Sequence, residues 1–597
     1  MNVPVRLVLN MADVRAGIEV NDEISVTLAR ELLSAIDTVF RTIGRSPSEV
    51  RADPVDLRRL LEKVPWQATP YSKRVWANKI SLLKRAMRLV GINVDRERRR
   101  HDTTPAWRAV IEGLPSRHRK ALAPFAGWAS AVGIEPEAFE AGDCERWRRH
   151  LEEVSVRTGL RESYLSTRRA LNVWLKQDHP ERPQIPLDGP LRFRSRDRSA
   201  FPPEFFREIE DWSVWAGHVD DEDDDEIDDA GPRKTLKAGT IKNYADEFRR
   251  IGSRLADDGD EIGQFDHLSA LLVETRVRKL RRLLKDAAEE GGAGDRSTEA
   301  AGEKADNRSS MAFHALCSLA RWLEATRRDE IDAPIAAGIR YVRKIAKKLA
   351  KRPRGMAAKN KRILADLRIP RLGARFRNLA ATVAARHPPG KKLSVRAALD
   401  LQLCAVHVIL QETGIRNGNA ARLDLDRHIV RPLVGAEVPW LITIPKEEVK
   451  NEQAINLSLS LRASAIVADY LERARPLLLK APTSALFISQ NGVPKSPSAL
   501  TRQYGCFTER EVGIRIHPHF HRHYCATTIV NTVEGGMRVA SKILAHKSPE
   551  TTATFYAELE MGVAQDRWLR IVEGLMSKDA AVLQTLTGLS LERRRAA

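Results

Sequence analysis

"IHPHFHRHYCATT", residues 516–528, sets His517, His519, His521 and His523 at every second position around Arg522. Four of the chain's fifteen histidines fall within these seven residues, 517–523. Strict alternation is the period of a strand, whose successive side chains point to opposite faces. The residues downstream argue otherwise: Tyr524, Ala526, Thr527 and Val530 bring small and apolar residues at helical spacing, so a helix is expected to begin near His519. On a helix, residues three or four apart share a face and residues two apart do not. His519 therefore stands with Arg522 and, at i+4, with His523. That last pair has the spacing of a zinc site, but Arg522 sets a permanent positive charge beside it and no carboxylate or cysteine lies at ligand spacing. Histidine and arginine on one face suit a phosphate, and neither a metal nor any other cofactor is expected.

The rest of the chain supports a polyanionic partner. Its 99 Lys plus Arg exceed 79 Asp plus Glu by 20 charges over 597 residues, an excess that favours nucleic acid. It survives a dense acidic run, "DDEDDDEIDD" at 220–229. Five widely spaced cysteines without a CxxC pair indicate neither a disulfide framework nor a zinc ribbon. No apolar run approaches the ~18 residues of a membrane span, and the opening residues lack the pattern of a signal peptide, so a cytoplasmic protein is expected.

The length calls for several domains. Helical periodicity dominates the first 330 residues. Amphipathic pairs such as "DEISVTLARELLSAIDTVFRTIG" and "YSKRVWANKISLLKRAMRLVGI" recur in three units on a similar plan. The organisation read from this is an N-terminal helical domain at 1–98, a second helical domain at 103–190, an acidic and proline-rich linker at 191–235 with room for a short docked helix, and a third helical domain at 236–335. A domain of different texture is expected at 340–580, then a tail at 581–597. Within the third unit, "DAAEEGGAGDRSTEAAGEKADNRSS" at 286–310 reads as a mobile loop. The Lys- and Arg-rich stretch at 340–362 reads as a linker that contacts phosphates. From about 395 an apolar helix ends in "TGIRNG", and "VPWLITIPKEEVKNEQAINLSLS" alternates like a two-stranded hairpin.

Three further places carry chemistry only in company. Arg416 follows Gly414, which breaks the helix and presents the guanidinium from a turn. Lys450 lies at the hairpin tip, with Lys446 as a nearby competitor. Downstream, "ILAH" ends at His546, and Ser548-Pro549-Glu550 has the composition of a new helix start carrying Tyr556 two turns in.

The order Arg416, Lys450, His519-x-x-Arg522, His546, Tyr556 resembles the catalytic set of the tyrosine recombinases, the phage-integrase family of DNA breaking and rejoining enzymes. "ETGIRNG" looks like the first arginine box, "VKNEQAINLSL" the hairpin lysine, "HFHRHYCAT" the His-x-x-Arg-His box, "ILAHKSPETT" the segment of the second histidine and "TFYAEL" the nucleophile helix. The resemblance spans about 340–575, and the helical units upstream look like the family's core-binding domains. Three positions depart from the pattern. Asn419 stands where an acidic residue is common, and Ala545 replaces the usual glycine before the histidine. Tyr556 is tenth after His546, with Phe555 in the usual ninth place, and one residue rotates a helix by about 100°.

The resemblance implies mainly α helical domains followed by a mixed α+β integrase-type catalytic domain with a small antiparallel sheet, closing around double-stranded DNA. Arg416 and Arg522 would clamp the scissile phosphate. His519 and His546 would donate hydrogen bonds or move a proton, His523 would brace them, and Lys450 would protonate the leaving 5′ oxygen. Tyr556 would attack and hold a 3′-phosphotyrosyl link. The activity implied is integration or transposition of a bacterial mobile element by a homo-tetramer on the nucleoid, acting alone or with related recombinases. A topoisomerase of the same chemistry, and a DNA-binding protein of this fold that no longer cleaves, remain as alternatives.

Overall fold

The computed structural model describes residues 10–94, 103–181, 185, 193, 195–217, 235–292, 298–350, 355–431, 438–450, 452–533, 535–545, 572–574 and 576, with backbone alone at 288–292 and 298–307. Among the described residues no helix is long and apolar enough to cross a membrane.

The first bundle comprises α1 (Met11–Glu19), α2 (Val26–Ile43), α3 (Pro54–Leu61) and α4 (Lys73–Leu89). Its helices start where the sequence supplies caps. Asn10 forms a capping box with Asp13, Ser25 Oγ accepts from Leu28 N, and Asp53 and Ser72 cap α3 and α4. Leu32, Ile36, Val39 and Phe40 recur at helical spacing on the face of α2 that meets Leu83 and Met87 of α4 in a single core.

The second bundle, α5 (Pro105–Gly113), α6 (Ser116–Ala131), α7 (Ala141–Val154) and α8 (Leu160–Asp178), is built on aromatic rings. Trp107 meets Phe125, Phe139 and Trp174 at centroid distances of 5.6, 6.4 and 5.6 Å, and its indole donates to the Ile134 carbonyl at 2.7 Å. Arg58 of α3 reaches across to the carbonyls of Glu152 (3.1 Å) and Ser155 (2.7 Å), joining the two bundles at the C-terminus of α7.

The third bundle is larger than the sequence led us to expect. It contains α9 (Pro203–Gly217), α10 (Ala238–Asp257), α11 (Glu274–Gly292), α12 (Thr298–Thr326) and α13 (Ala333–Ala350). Phe201, Phe205, Ile209 and Trp212 lie in the same core as Phe248 and Leu319, so the stretch expected as linker at 191–235 contributes a helix to this domain. Phe205, Ile209 and Trp212, at i, i+4, i+7 spacing, bury one face of it, with Phe201 just ahead of the helix in the same core, despite the proline and charge on either side. Nor does the low-complexity stretch at 286–310 form one long loop: α11 extends to Gly292 and α12 begins at Thr298. Ala and Glu are strong helix formers, and that propensity prevailed over composition. At the other end α13 buries Ile335, Ile339, Val342 and Ile345, while Arg340, Arg343, Lys344, Lys347 and Lys348 face solvent. The domain therefore extends past 335, and the first half of the basic stretch at 340–362 is the outer face of a helix.

The C-terminal domain begins with α14 (Ala358–Arg368), α15 (Pro370–Arg377) and α16 (Leu379–Ala384), and is centred on α17 (Val395–Thr413). Leu401, Cys404, Ala405, Val406, Ile409 and Leu410 of α17 are all buried, which is why its sequence is apolar around nearly the whole circumference. After α18 (Asn417–Ala421) comes an antiparallel sheet in the order β1 (Ile429–Val430), β2 (Leu441–Ile444), β3 (Ile455–Ser458). Ile442 pairs with Leu457 and Ile444 with Ile455. Ile442 and Ile444 point inward from one face of the expected hairpin. α19 (Leu461–Asp469), α20 (Arg475–Leu478), α21 (Pro497–Val512), α22 (Phe520–Thr532) and α23 (Gly536–Ile543) complete it.

The first bundle also touches this domain. Gln67 Nε2 donates to the Arg510 carbonyl at 3.3 Å, and the Arg375 guanidinium lies over the Trp66 ring at 5.1 Å.

Candidate active site

Arg416 is presented by the end of α17. Gly414 closes that helix at φ +57°, and a Cβ there would lie 2.9 Å from Leu544 Cδ2, so both conformation and space demand glycine. Two residues on, Arg416 occupies the N-cap position of α18 in extended conformation. Burial lowers the proton affinity of its guanidinium, and its Nη1 has no hydrogen-bond partner among the described residues. Asn419, one turn on, is buried, and its Nδ2 likewise has none.

Arg522 is 5% exposed on the first turn of α22. Its Nη1 donates to the Gly414 carbonyl at 3.2 Å and its Nη2 to the Leu544 carbonyl. One guanidinium thus ties together the turn ahead of Arg416 and the segment that leads into His546. The sequence pointed to a phosphate ligand, and the structure adds that the same side chain braces two other parts of the site.

His519 is the N-cap residue of α22, so the helix starts where the sequence places it. It is exposed at the surface, yet desolvation by the surrounding protein, then the charges of Arg522, Arg416 and Lys450, hold its imidazole below the ordinary histidine value. Lys450, at the turn between β2 and β3, places its charge where it acts on His519. The Lys450 carbonyl and Glu452 Oε1 accept from Lys237 Nζ at 3.5 and 3.1 Å, so the hairpin touches the start of α10 in the third bundle. His523 packs edge-on to His519 at 5.5 Å. Burial, then the charges of His519 and Arg522, push its imidazole down to about 4.

The histidines two apart do part company. His521 is fully buried, and its Nε2 lies 2.5 Å from the Tyr504 hydroxyl, which also meets His407 Nδ1 at 2.7 Å. Phe376 packs against His407, His521 and Tyr524 at 5.2, 5.1 and 5.1 Å. This buried chain anchors α22 to α17 and α21 and fixes the orientation of the opposite face, which carries His519 and Arg522. Sequence reasoning set His521 aside and did not find Tyr504 or His407. A histidine in the middle of the apolar "CAVHVIL" was the available signal. His546 and Tyr556 lie outside the described residues, as does the helix start expected at Ser548.

Ala545, immediately ahead of His546, takes φ +48° and is 5% exposed. A side chain in the left-handed region costs about 1–2 kcal/mol, which is the physical reason for a glycine there. Ala545→Gly is expected to stabilise the C-terminal domain by about 0.5–1 kcal/mol, since glycine's greater loss of chain entropy offsets part of the relief. Thermal unfolding of the two proteins should show a rise of about 1–4 °C.

Residues 392–562, which include all of this geometry around Arg416 and Arg522, match the family model described as "Phage integrase family". Over these residues the chain carries a phage integrase domain. Among curated proteins, the chain is 28% identical over 203 residues to tyrosine recombinase XerC of Alcanivorax borkumensis, which covers 34% of this chain and 62% of that protein. To tyrosine recombinase XerD of Corynebacterium glutamicum it is 30% identical over 177 residues, 29% of this chain and 54% of that one. The chain thus spans somewhat over half the length of these relatives. Among solved structures, XerH recombinase bound to its difH substrate before cleavage is similar at 14% identity and a TM-score of 0.33, over 63% of this chain and 99% of that one. XerA recombinase is similar at 18% identity and a TM-score of 0.25, over 56% of this chain and 92% of that one. The match at 392–562 takes in Arg416, Lys450, His519, Arg522, His546 and Tyr556, so all six positions fall inside the integrase domain.

Proposed function

We propose that this protein is a site-specific DNA recombinase that breaks and rejoins strands through a 3′-phosphotyrosyl intermediate, in the service of a bacterial mobile element. One observation carries the reading: burial first, then the charges of three cations, Arg522, Arg416 and Lys450, hold down the proton affinity of His519, and Arg416 Nη1 beside them has no hydrogen-bond partner among the described residues. A site that concentrates positive charge on a neutral imidazole is built for an anion that arrives from elsewhere.

The residues divide the reaction between them. The guanidinium of Arg416, with its open Nη1, and that of Arg522 take the non-bridging oxygens of a phosphodiester and stabilise the charge that accumulates in the transition state. Tyr556 Oη attacks phosphorus. The Oη–P bond forms as the P–O5′ bond breaks, the phenolic proton passes to a neutral histidine, and Lys450 gives a proton to O5′. The 5′ hydroxyl of another strand then reverses each transfer, so the bond energy is conserved. The phosphate's own charge partly offsets the three cations, so binding raises the proton affinity of His519 at the moment it is needed. Double-stranded DNA is the partner, held between the helical bundles and the integrase domain. Strand exchange calls for four protomers, acting alone or with related recombinases.

The test is a nicked duplex, its sequence selected from a random pool by binding to the full chain, from which a short 3′-terminal fragment escapes after cleavage. A denaturant-resistant protein–DNA complex is expected, equal in amount with and without EDTA, and absent in Tyr556→Phe. Retained DNA binding without any covalent complex would make the protein a binder of this fold. Relaxation of supercoiled plasmid by a monomer, without sequence preference, would make it a topoisomerase.

A further inference from the structure

From residue 355 the chain leads into the integrase domain and comes beside His519. Met356 packs with Ala526, Ala540 and Leu544 in a small cluster between α22 and α23, and α14 begins two residues later. On the first turn of α14, Asn360 is 7% exposed, and its Oδ1 accepts a hydrogen bond from His517 Nε2 at 3.0 Å. The ring of His517 in turn lies nearly parallel to that of His519, with planes 18° apart and centroids 6.5 Å apart. His517 contributes nothing to the reaction proposed above, and neither does Asn360. A buried side-chain amide joined to a half-buried histidine, across 157 positions of sequence, therefore calls for a role.

We propose that Asn360 is a positioning residue: by holding the Nε2–H of His517, it fixes the ring against which His519 rests and so sets the orientation of His519 toward the scissile phosphate. This deepens the recombinase reading and rests on it. An acceptor at Nε2 selects the tautomer protonated there and denies the ring free rotation about χ2. The charges that face His517 come from both elements packed on it, Lys359 on α14 and His519 and His523 at α22. Burial and these neighbours push it down to about 3, so it stays neutral at working pH and adds no fourth cation beside His519. The hydrogen bond also fastens the exit of the interdomain connection to the reacting site, at the point where the third bundle hands over to the integrase domain.

Two variants and two readouts test this. Asn360→Leu keeps the volume and removes the acceptor, while Asn360→Asp keeps the acceptor and adds charge. In the full chain with 13C-labelled histidine, Asn360→Leu is expected to shift the ring signals of His517 and His519 and to move the His519 titration midpoint by about half a unit. On the nicked duplex it should slow covalent-complex formation about tenfold, below the 10²–10⁴-fold of a residue that itself moves a proton, with DNA affinity within about twofold. Asn360→Asp should restore most of the rate above pH 7. It should lose that rate at higher pH than the parent as acid is added, because a carboxylate draws a proton onto His517, and that new cation weakens His519 as a proton acceptor. An unmoved His519 titration in Asn360→Leu overturns the proposal, whether or not a DNA substrate is in hand. Equal rate losses in both variants at every pH overturn it too, since they mark a packing role. If the parent forms no covalent complex, the recombinase reading falls while the titration still decides the positioning of His519.

Discussion

Arg522→Ala is expected to slow single-turnover cleavage of the nicked duplex by about 10³-fold and to destabilise the integrase domain by about 2–4 kcal/mol. The first effect follows from removing a forked donor aimed at charge that develops in the transition state. The second follows from the two carbonyls it leaves behind, those of Gly414 and Leu544, each a buried acceptor that loses its partner at about 1–3 kcal/mol. Arg416→Ala separates the two. Its Nη1 has no partner among the described residues, so its loss should cost a comparable factor in rate and less than about 1 kcal/mol in stability. Denaturant unfolding of both variants beside their cleavage rates is the measurement. Equal destabilisation by the two would contradict the bracing role of Arg522. Arg522→Lys should recover little of either property, because an ammonium cannot span two carbonyls and a phosphate at once.

The integrase domain is expected to lose stability steeply in mild acid. His407 and His521 are fully buried on either side of Tyr504. Burial pushes His407 down to about 4 and holds His521 well below the ordinary value. Both folded-state values lie under the ~6.5 of an unfolded chain, so below pH 6.5 the unfolded state binds protons that the folded state refuses. The stability is present above that pH and is lost as pH falls. For His407 alone, with a folded value of about 4, the loss from pH 6.5 to 4.5 is about 2 kcal/mol, and His521 adds to it in the same direction, against the 5–15 kcal/mol of a typical domain. His521→Leu should remove about half of that slope. Equilibrium unfolding of parent and variant at half-unit pH steps reads it directly, and a flat profile in the parent would contradict the assignment of neutral, buried imidazoles.

Much of the C-terminal domain was legible because its signals are local. The helix start at His519 followed from the apolar residues behind it, the hairpin from strict alternation in "LITI" and "INLS", and the Arg416 turn from one glycine. What the sequence concealed depends on residues far apart in the chain. Tyr504 joins His407 and His521 across 97 and 17 positions, and Asn360 meets His517 across 157, contacts that no local pattern encodes. The same limit bears on the upstream segments. Whether 203–217 docks or dangles is decided by a groove supplied by α10 and α12, not by the proline and acid around it. At 286–310, glycine and charge suggested a loop, yet the flanking alanines and glutamates continue the two helices to within a few residues of each other.

Everything proposed for the reaction converges on one covalent bond. The most direct measurement is mass spectrometry of the complex trapped on nicked duplex, after digestion of the DNA and cleavage with trypsin. A nucleotide remnant is expected on the peptide of residues 548–567, "SPETTATFYAELEMGVAQDR", attached at Tyr556 and at no hydroxyl of Ser548, Thr551, Thr552 or Thr554. A remnant on Tyr524, on another residue or on no peptide at all would contradict the assignment of Tyr556 as the nucleophile.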